Sequence, residues 1–246
     1  MSLPLDNIHI VLVGTLYYGN IGSTCRAMAN MGFHHLRLAA PNLHGDPQEA
    51  EKMAVHATDV LNGRAEFATF EEAVKDCVAV VGTTARHGLF RQHVRAPRDC
   101  AAEILALAAR GPVALVFGRE DKGLLNEEVA ACTHLIRIPV DEGYTSLNLA
   151  QAVMVTCYEF FTATGSYQPP HEKAPLAPQG EKMQLMAQWE EMLKDIGYMD
   201  DKQSEHMMQG IHRVFSRGVL TTDDAAIMLG VARQAHWAHH HPAANK

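Results

Sequence analysis

The sequence predicts an α/β fold: a mostly parallel sheet covered by helices, with a small all-helical extension behind it. Three observations carry this. Over the first two-thirds of the 246 residues, short β-branched runs alternate with stretches of helical periodicity. Strands separated by helical crossovers pair in parallel and are covered on both faces. Past a proline-rich stretch the pattern becomes helical only.

Taken in order, residues 8–13 (IHIVLV) form an apolar strand, followed by a glycine-rich turn and a helix that Gly32 ends near Met31. Residues 36–40 give a second strand, 47–61 a helix, and 65–68 a short third strand. A helix over 70–76 leads into a buried strand at 78–81. Helix 99–110, strand 113–117, helix 126–131, strand 135–140 and a long helix from Ser146 complete the series. Ser166 to Pro170, Pro175 and Pro178 make a segment that holds neither helix nor central strand. The predicted organisation is therefore a domain over 1–165, a linker over 166–180 and a helical domain over 181–246. In the latter, helices over 181–196, 200–217 and 222–237 are expected. Met183, Met186, Trp189 and Leu193 trace one buried stripe, and Thr222 serves as an N-cap.

Composition narrows the function classes. No apolar run approaches the ~20 residues that span a bilayer, and no secretory leader is seen, so a cytoplasmic protein is expected. Cys25, Cys77, Cys100, Cys132 and Cys157 are scattered and lack a CxxC pair, which predicts reduced thiols and neither a disulfide framework nor a zinc site. The chain has 15 histidines, including His239 to His241, but no HExxH; they read as surface and helix-end residues, and no metal site is assigned. A formal net charge of −7 argues against bulk electrostatic coating of nucleic acid. It leaves room for a local basic patch at Arg86, His87, Arg91, His93, Arg95 and Arg98, where Asp99 is the one nearby acid in sequence. Charge alone leaves that patch open between an RNA contact and a solvated loop.

Three constellations fall on turns at strand ends, where α/β sheets place their ligands. In the first, Gly19 to Met28, Asn20 is positioned to cap a helix and Gly22 permits a close approach. Arg26 shares a helix face with Gly22 and Ser23, so its guanidinium points into space a phosphate could fill. An ordinary capped helix with a solvated arginine fits the same spacing. The second is Phe117 to Leu124, two glycines bracketing Arg119, Glu120, Asp121 and Lys122. It matches neither GxGxxG nor a P-loop, and pattern alone leaves Glu120 open between catalytic, structural and solvated roles. The third is Tyr144 to Val153, with Ser146 read as an N-cap and Asn148 in the first turn. Val80 to Arg86 is a further strand end carrying small hydroxyl residues. A nicotinamide oxidoreductase would need a glycine fingerprint and a ribose-binding acid, and neither is found.

The runs N-x-G-S-x-x-R-A-M at Asn20 to Met28, F-G-x-E-x-x-G-L at Phe117 to Leu124 and S-L-N-L-A-x-A-V at Ser146 to Val153, in that order, resemble the ribose-methylating branch of the SPOUT superfamily. The resemblance covers residues about 5 to 165. It implies a C-terminal trefoil knot, where topology rules alone give an open sheet. It also implies transfer of a methyl group from S-adenosylmethionine to a ribose 2′-hydroxyl of RNA, with S-adenosylhomocysteine as product. tRNA is the expected substrate, at the nucleotide 32 ribose of the anticodon loop; the three motifs are shared across the branch, so rRNA or another tRNA position is the alternative. The implied donor pocket is Thr83, Thr84, Ala85, Gly118, Ile138, Thr145, Ser146 and Leu147. The implied catalytic set is Arg26, Asn20, Glu120, Ser146 and Asn148, with Arg26, Arg86, Arg91 and Arg95 toward RNA. The family is dimeric, and Arg26 would complete a site with the partner's pocket. Family proposals give Arg26 the hydroxyl proton; a guanidinium stays charged, so a fixed positive charge is the preferred role. Retention of Arg26, Glu120, Ser146 and Asn148 argues against a silent RNA-binding relative.

Overall fold

The computed structural model describes residues 4–86, 93–169 and 174–241. The chain divides into two compact units, residues 1–168 and 169–246.

The first unit begins with a 3₁₀ turn, Pro4–Asn7, and strand β1, Ile8–Val13. Helix α1 (Tyr18–Asn30) ends where Gly32 takes φ +74°, and β2 is His35–Ala39. The helix expected over 47–61 is two, α2 (Gln48–Ala54) and α3 (Thr58–Asn62). Val55 lies between them at φ +55°, a conformation that no helix continues through. Next come β3 (Ala65–Phe67), α4 (Phe70–Val74), β4 (Ala79–Thr83), α5 (Pro97–Ala108) and β5 (Val113–Phe117). Pro97 opens α5, where the missing N–H costs nothing. Helix α6 (Asn126–Ala130), β6 (His134–Ile136) and α7 (Leu149–Ala163) complete the unit.

The sheet is parallel, in the order β3-β2-β1-β5-β4-β6. Its period of two sorts the core into two layers. Ile8, Ile10, Leu12, Leu36, Leu38, Val113, Leu115 and Phe117 pack with residues of α1, α5 and α7. Val11, Val13, Ala39, Ala114 and Val116 face the opposite way, toward Phe70, Ala73 and Val129 of α4 and α6. Sequence order reverses between β1 and β5, so a crevice forms outside the carboxyl ends of these central strands.

Arg37, on the α4 side of β2, is 8% exposed and donates to both carboxylate oxygens of Asp76 at 2.6 and 2.8 Å. This bond holds the Asp76 carboxyl well below the usual carboxylate range. Nε of Arg37 donates to Nδ1 of His9 at 3.2 Å. Burial, followed by the charges of Arg37 and His35, pushes the His9 imidazole from 6.5 down to about 4. The unfolded chain thus binds more protons between those values. The stability from neutral His9 is complete above pH 6.5 and declines as pH falls toward 4. The expected loss is about 1–2 kcal/mol after solvent screening of this part-exposed ring. Urea titrations across that window should show the slope, and His9→Asn should flatten it.

The five cysteines are free. Burial pushes the Cys25 and Cys132 thiols up to about 12, so neither is a nucleophile at neutral pH.

The second unit holds α8 (Gln179–Asp195), α9 (Ser204–Phe215) and α10 (Thr222–His240). Its core gathers Leu185, Met186, Met192, Leu193, Met199, Met208 and Ala232, with Trp189 packed against it. Met183 departs from the expected stripe and is 65% exposed; Leu185 and Met192 take the inward positions. The α10 cap is Thr221, one residue earlier than expected, and it exchanges hydrogen bonds with Asp224. Residues 176 and 177 are held by this unit, through a Leu176–Thr221 bridge and the Ala177 amide donating to Leu220 O. No described helix is long and apolar enough to cross a membrane.

Candidate active site

Gly118 follows β5 and starts a loop that closes on itself. The Arg119 amide donates to Gly123 O at 3.3 Å, and the Gly123 amide returns to Arg119 O at 2.7 Å. A Cβ on Gly118 would lie 2.1 Å from the Gly123 carbonyl carbon and 2.2 Å from the Leu124 nitrogen, so only glycine fits. Arg119 anchors the loop by donating to both oxygens of Glu128 at 3.0 Å. Its side chain crosses Gly14, whose φ of +59° and lack of Cβ leave the space. Arg86 donates to Lys122 O and, at 2.8 Å, to Leu124 O.

This loop forms one wall of a cavity of about 360 Å³, within the range of small-molecule sites. Thr83, Thr84 and Ala85, Ile138, and Thr145, Ser146 and Leu147 form the other walls. All eight residues expected to hold a methyl donor therefore line one cavity. Thr83 is fixed by donating to Val116 O at 2.9 Å, and the Thr84 amide donates to Ile136 O at 3.0 Å.

A second hollow adjoins it, sharing Glu120, Ser146, Leu147 and Leu149 with the first and adding Asn20, Ser23, Lys52 and Asn148. Glu120 is the hub. Its carboxylate accepts from Thr15 Oγ1 at 3.1 Å, the Leu16 amide at 3.0 Å and Asn20 Nδ2 at 2.8 Å. Asn20 Oδ1 in turn accepts from Asn148 Nδ2 at 3.1 Å. The chain Glu120–Asn20–Asn148 ties together the ends of β5, α1 and α7.

Two expected caps are thereby reassigned. Asn20 lies inside α1 and spends its amide on Glu120 and Asn148. The α7 cap is Asn148, accepting from the Ala150 amide at 2.9 Å, and Ser146 is left on the cavity wall. Thr15 was not singled out by sequence reasoning; the signal was a hydroxyl just past the end of a buried strand.

Arg26 is exposed on α1 and lines neither hollow. Its side chain makes no hydrogen bond or ion pair among the described residues. The face read as open space is partly closed, because α2 packs onto Gly22, where a Cβ would meet Ala50 O at 2.1 Å. The basic patch is also altered. Arg95 pairs with Glu103 at 2.6 Å and Arg98 with Glu159 at 2.7 Å, so the fold brings in acids that sequence proximity does not reveal. Arg91 and His87 lie outside the described residues.

Glu120→Gln is expected to cost about 1–3 kcal/mol, since the amide turns an NH₂ toward a donor and leaves one bond unmade. Chemical denaturation measures this; an unchanged midpoint would remove Glu120 from the hub.

The parallel sheet, the cavity at its switch point and the polar hub beside it define an α/β enzyme with a ligand-binding cleft at the strand carboxyl ends. The model of the SpoU rRNA methylase family matches residues 7–158, and the chain belongs to that methylase family. A second model, the C-terminal domain of the tRNA methyltransferase TrmJ, matches residues 181–244. The tRNA (cytidine/uridine/adenosine-2′-O-)-methyltransferase TrmJ of Pseudomonas aeruginosa is 38% identical over 92% of this chain and 93% of its own. The tRNA (cytidine/uridine-2′-O-)-methyltransferase TrmJ of Escherichia coli K12 is 36% identical over 92% and 94%. The crystal structure of TrmJ from Z. mobilis superposes with a TM-score of 0.76 at 31% identity, over 93% of this chain and 98% of that one.

Proposed function

We propose that this protein methylates the ribose 2′-hydroxyl of a tRNA nucleotide, cytidine or uridine at position 32 of the anticodon loop, from S-adenosylmethionine. The observation that carries the reading is one cavity lined by residues from three strand ends, edged by the Glu120–Asn20–Asn148 chain. The cavity suits the donor: hydroxyls at Thr83, Thr84 and Thr145 offer polar partners, Ile138 and Leu147 offer apolar ones, and the Gly118–Gly123 turn brings backbone close. Bound there, S-adenosylmethionine would supply an electrophilic methyl carbon: its carbon–sulfur bond would break as the bond to the ribose oxygen forms, the hydroxyl proton would pass to water, and S-adenosylhomocysteine would be the product.

The protein's own task is to hold the ribose hydroxyl in line and favour its developing negative charge. Glu120 freezes Asn20, and Asn20 freezes Asn148, so both amides are preorganised at the edge of the hollow. Arg26, unpaired among the described residues, lies about 9 Å along α1 from Asn20 at 1.5 Å rise per residue. That distance favours a homodimer in which Arg26 serves the neighbouring subunit's cavity, fixing an RNA phosphate and the alkoxide charge. Arg86 and Arg95 already hold protein oxygens, which favours roles in shaping the cavity rim and its flank as much as direct RNA contact. A knotted thread belongs to the same proposal: residues 137–148 leave the β6 edge and return to α7, which packs against α1 and α5. The helical unit is assigned to tRNA binding, and a cytoplasmic location goes with this reading.

A second reading, action on rRNA, is favoured by the name of the family that matches residues 7–158; the TrmJ-type C-terminal match favours tRNA. Mass mapping of ribose methylation on total tRNA and rRNA incubated with the protein and donor decides between them. Methyl on rRNA alone would overturn the tRNA assignment. A chain ending at residue 168 should keep donor binding and lose tRNA affinity.

A further inference from the structure

Sequence reading assigned no ligand role to the histidine-rich end of the chain. The fold gives three of its neighbours a common focus. His236 and His240 stand four residues apart on α10, the spacing that places side chains on one helix face. Asp195 is the last residue of α8. Nδ1 of His236 is hydrogen-bonded to Oδ2 of Asp195, and Nε2 of His240 lies 3.6 Å from the same oxygen. One ligand atom from each residue lies within 4.8 Å of the other two. The two rings meet edge to face with centroids 4.5 Å apart. None of the three residues is buried, so an ion can enter from solvent.

We propose that Asp195, His236 and His240 form a binding site for a divalent transition-metal ion, with Zn²⁺ the best match. Two imidazole nitrogens and one carboxylate oxygen suit a borderline ion in four-coordinate geometry, with water as the fourth ligand. Calcium and magnesium prefer sets built from oxygen. Around a tetrahedral ion with bonds of about 2.0–2.1 Å, ligand atoms sit roughly 3.3 Å apart. The His240–Asp195 separation is near that value already. The His236–Asp195 hydrogen bond opens to admit the ion, a small side-chain movement at a part-exposed position. The site also sits at the carboxyl ends of α8 and α10, where unpaired carbonyls favour a cation.

The ion has a structural task to perform. The core of this unit is small and contains four methionines, Met186, Met192, Met199 and Met208. Such side chains fill space but specify it loosely. Domains of this size commonly rely on an added cross-link. Trp189 Nε1 donates to Met228 O at 3.0 Å and joins α8 to α10 along their length. A metal at Asp195, His236 and His240 clamps the same two helices at their ends.

The test uses the full chain, stripped with chelator and titrated with Zn²⁺ and then Co²⁺. The expected result is saturable binding of one equivalent with a Kd near or below about 1 µM, which at a hundredfold excess over Kd raises the thermal midpoint of the helical unit. Co²⁺ should give the intense visible absorption of a four-coordinate site. His240→Gln and Asp195→Asn should each weaken binding by about tenfold or more, as loss of a ligand requires. His241→Ala should leave the isotherm unchanged, because that ring is stacked on Trp237. Absence of saturable binding overturns the proposal. So does an unchanged isotherm in His236→Ala, or loss of binding in His241→Ala alone.

Discussion

Replacing Arg26 with alanine is expected to lower methyl transfer to tRNA by about two to three orders of magnitude, while S-adenosylmethionine affinity and folding stability stay unchanged. Arg26 has no structural employment: its side chain is exposed, unpaired among the described residues and off both hollows. Loss of an exposed, unpartnered side chain rarely moves stability by more than about 0.5 kcal/mol. The loss therefore reports on substrate. Arg26→Lys should recover part of the rate, since it keeps the charge and loses the planar fork. Mixing Arg26→Ala with a donor-pocket variant should restore activity if the guanidinium acts across a dimer, as one site of the mixed dimer is then intact. Single-turnover kinetics at saturating tRNA give the answer, and a near-normal rate for Arg26→Ala would end the assignment.

Gly118→Ala attacks the donor cavity directly. The added methyl would occupy space held by backbone of residues 123 and 124, at 2.1 and 2.2 Å. That backbone cannot retreat freely. It is pinned by the Arg119–Gly123 pair of hydrogen bonds, by Arg119 on Glu128 and by Arg86 on the carbonyls of residues 122 and 124. Overpacking of this kind costs about 1–3 kcal/mol. If it is expressed in the loop, donor affinity falls roughly tenfold to a hundredfold. Calorimetric titration with S-adenosylmethionine measures it. Gly180→Ala, with nothing within 4 Å of the new methyl, is the control. Donor affinity unchanged in Gly118→Ala would show that the cavity is not the donor site.

What the sequence made legible was local. The IHIVLV and VALVF strands, the stop at Gly32 and the three motif-bearing turns could be read because neighbouring residues decide them. Two of the misreadings share one cause, partners distant along the chain. Asn20 looked like a cap because Glu120, 100 positions on, cannot be seen from Asn20. The arginine cluster after β4 looked unopposed because Glu159 reaches Arg98 from 61 positions away. The break at Val55 had no glycine or proline to announce it. Met183 continues the spacing of Met186, Trp189 and Leu193 yet stays exposed, while Leu185 and Met192 turn inward beside them. The donor residues were legible through family resemblance; composition and spacing left their roles open.

The sheet order has a consequence for how the chain comes off the ribosome. β1 finds its second neighbour only in β5, whose residues 113–117 align with 8–12. Until then β1 offers a bare hydrogen-bonding edge in the middle of what will be the core, apolar but for His9. Nearly half of the polypeptide must be synthesised before that edge is closed. Such long-range pairing slows folding and exposes the intermediate to association with other chains. The β1–β2–β3 half must therefore wait for β5 before the centre of its sheet is closed.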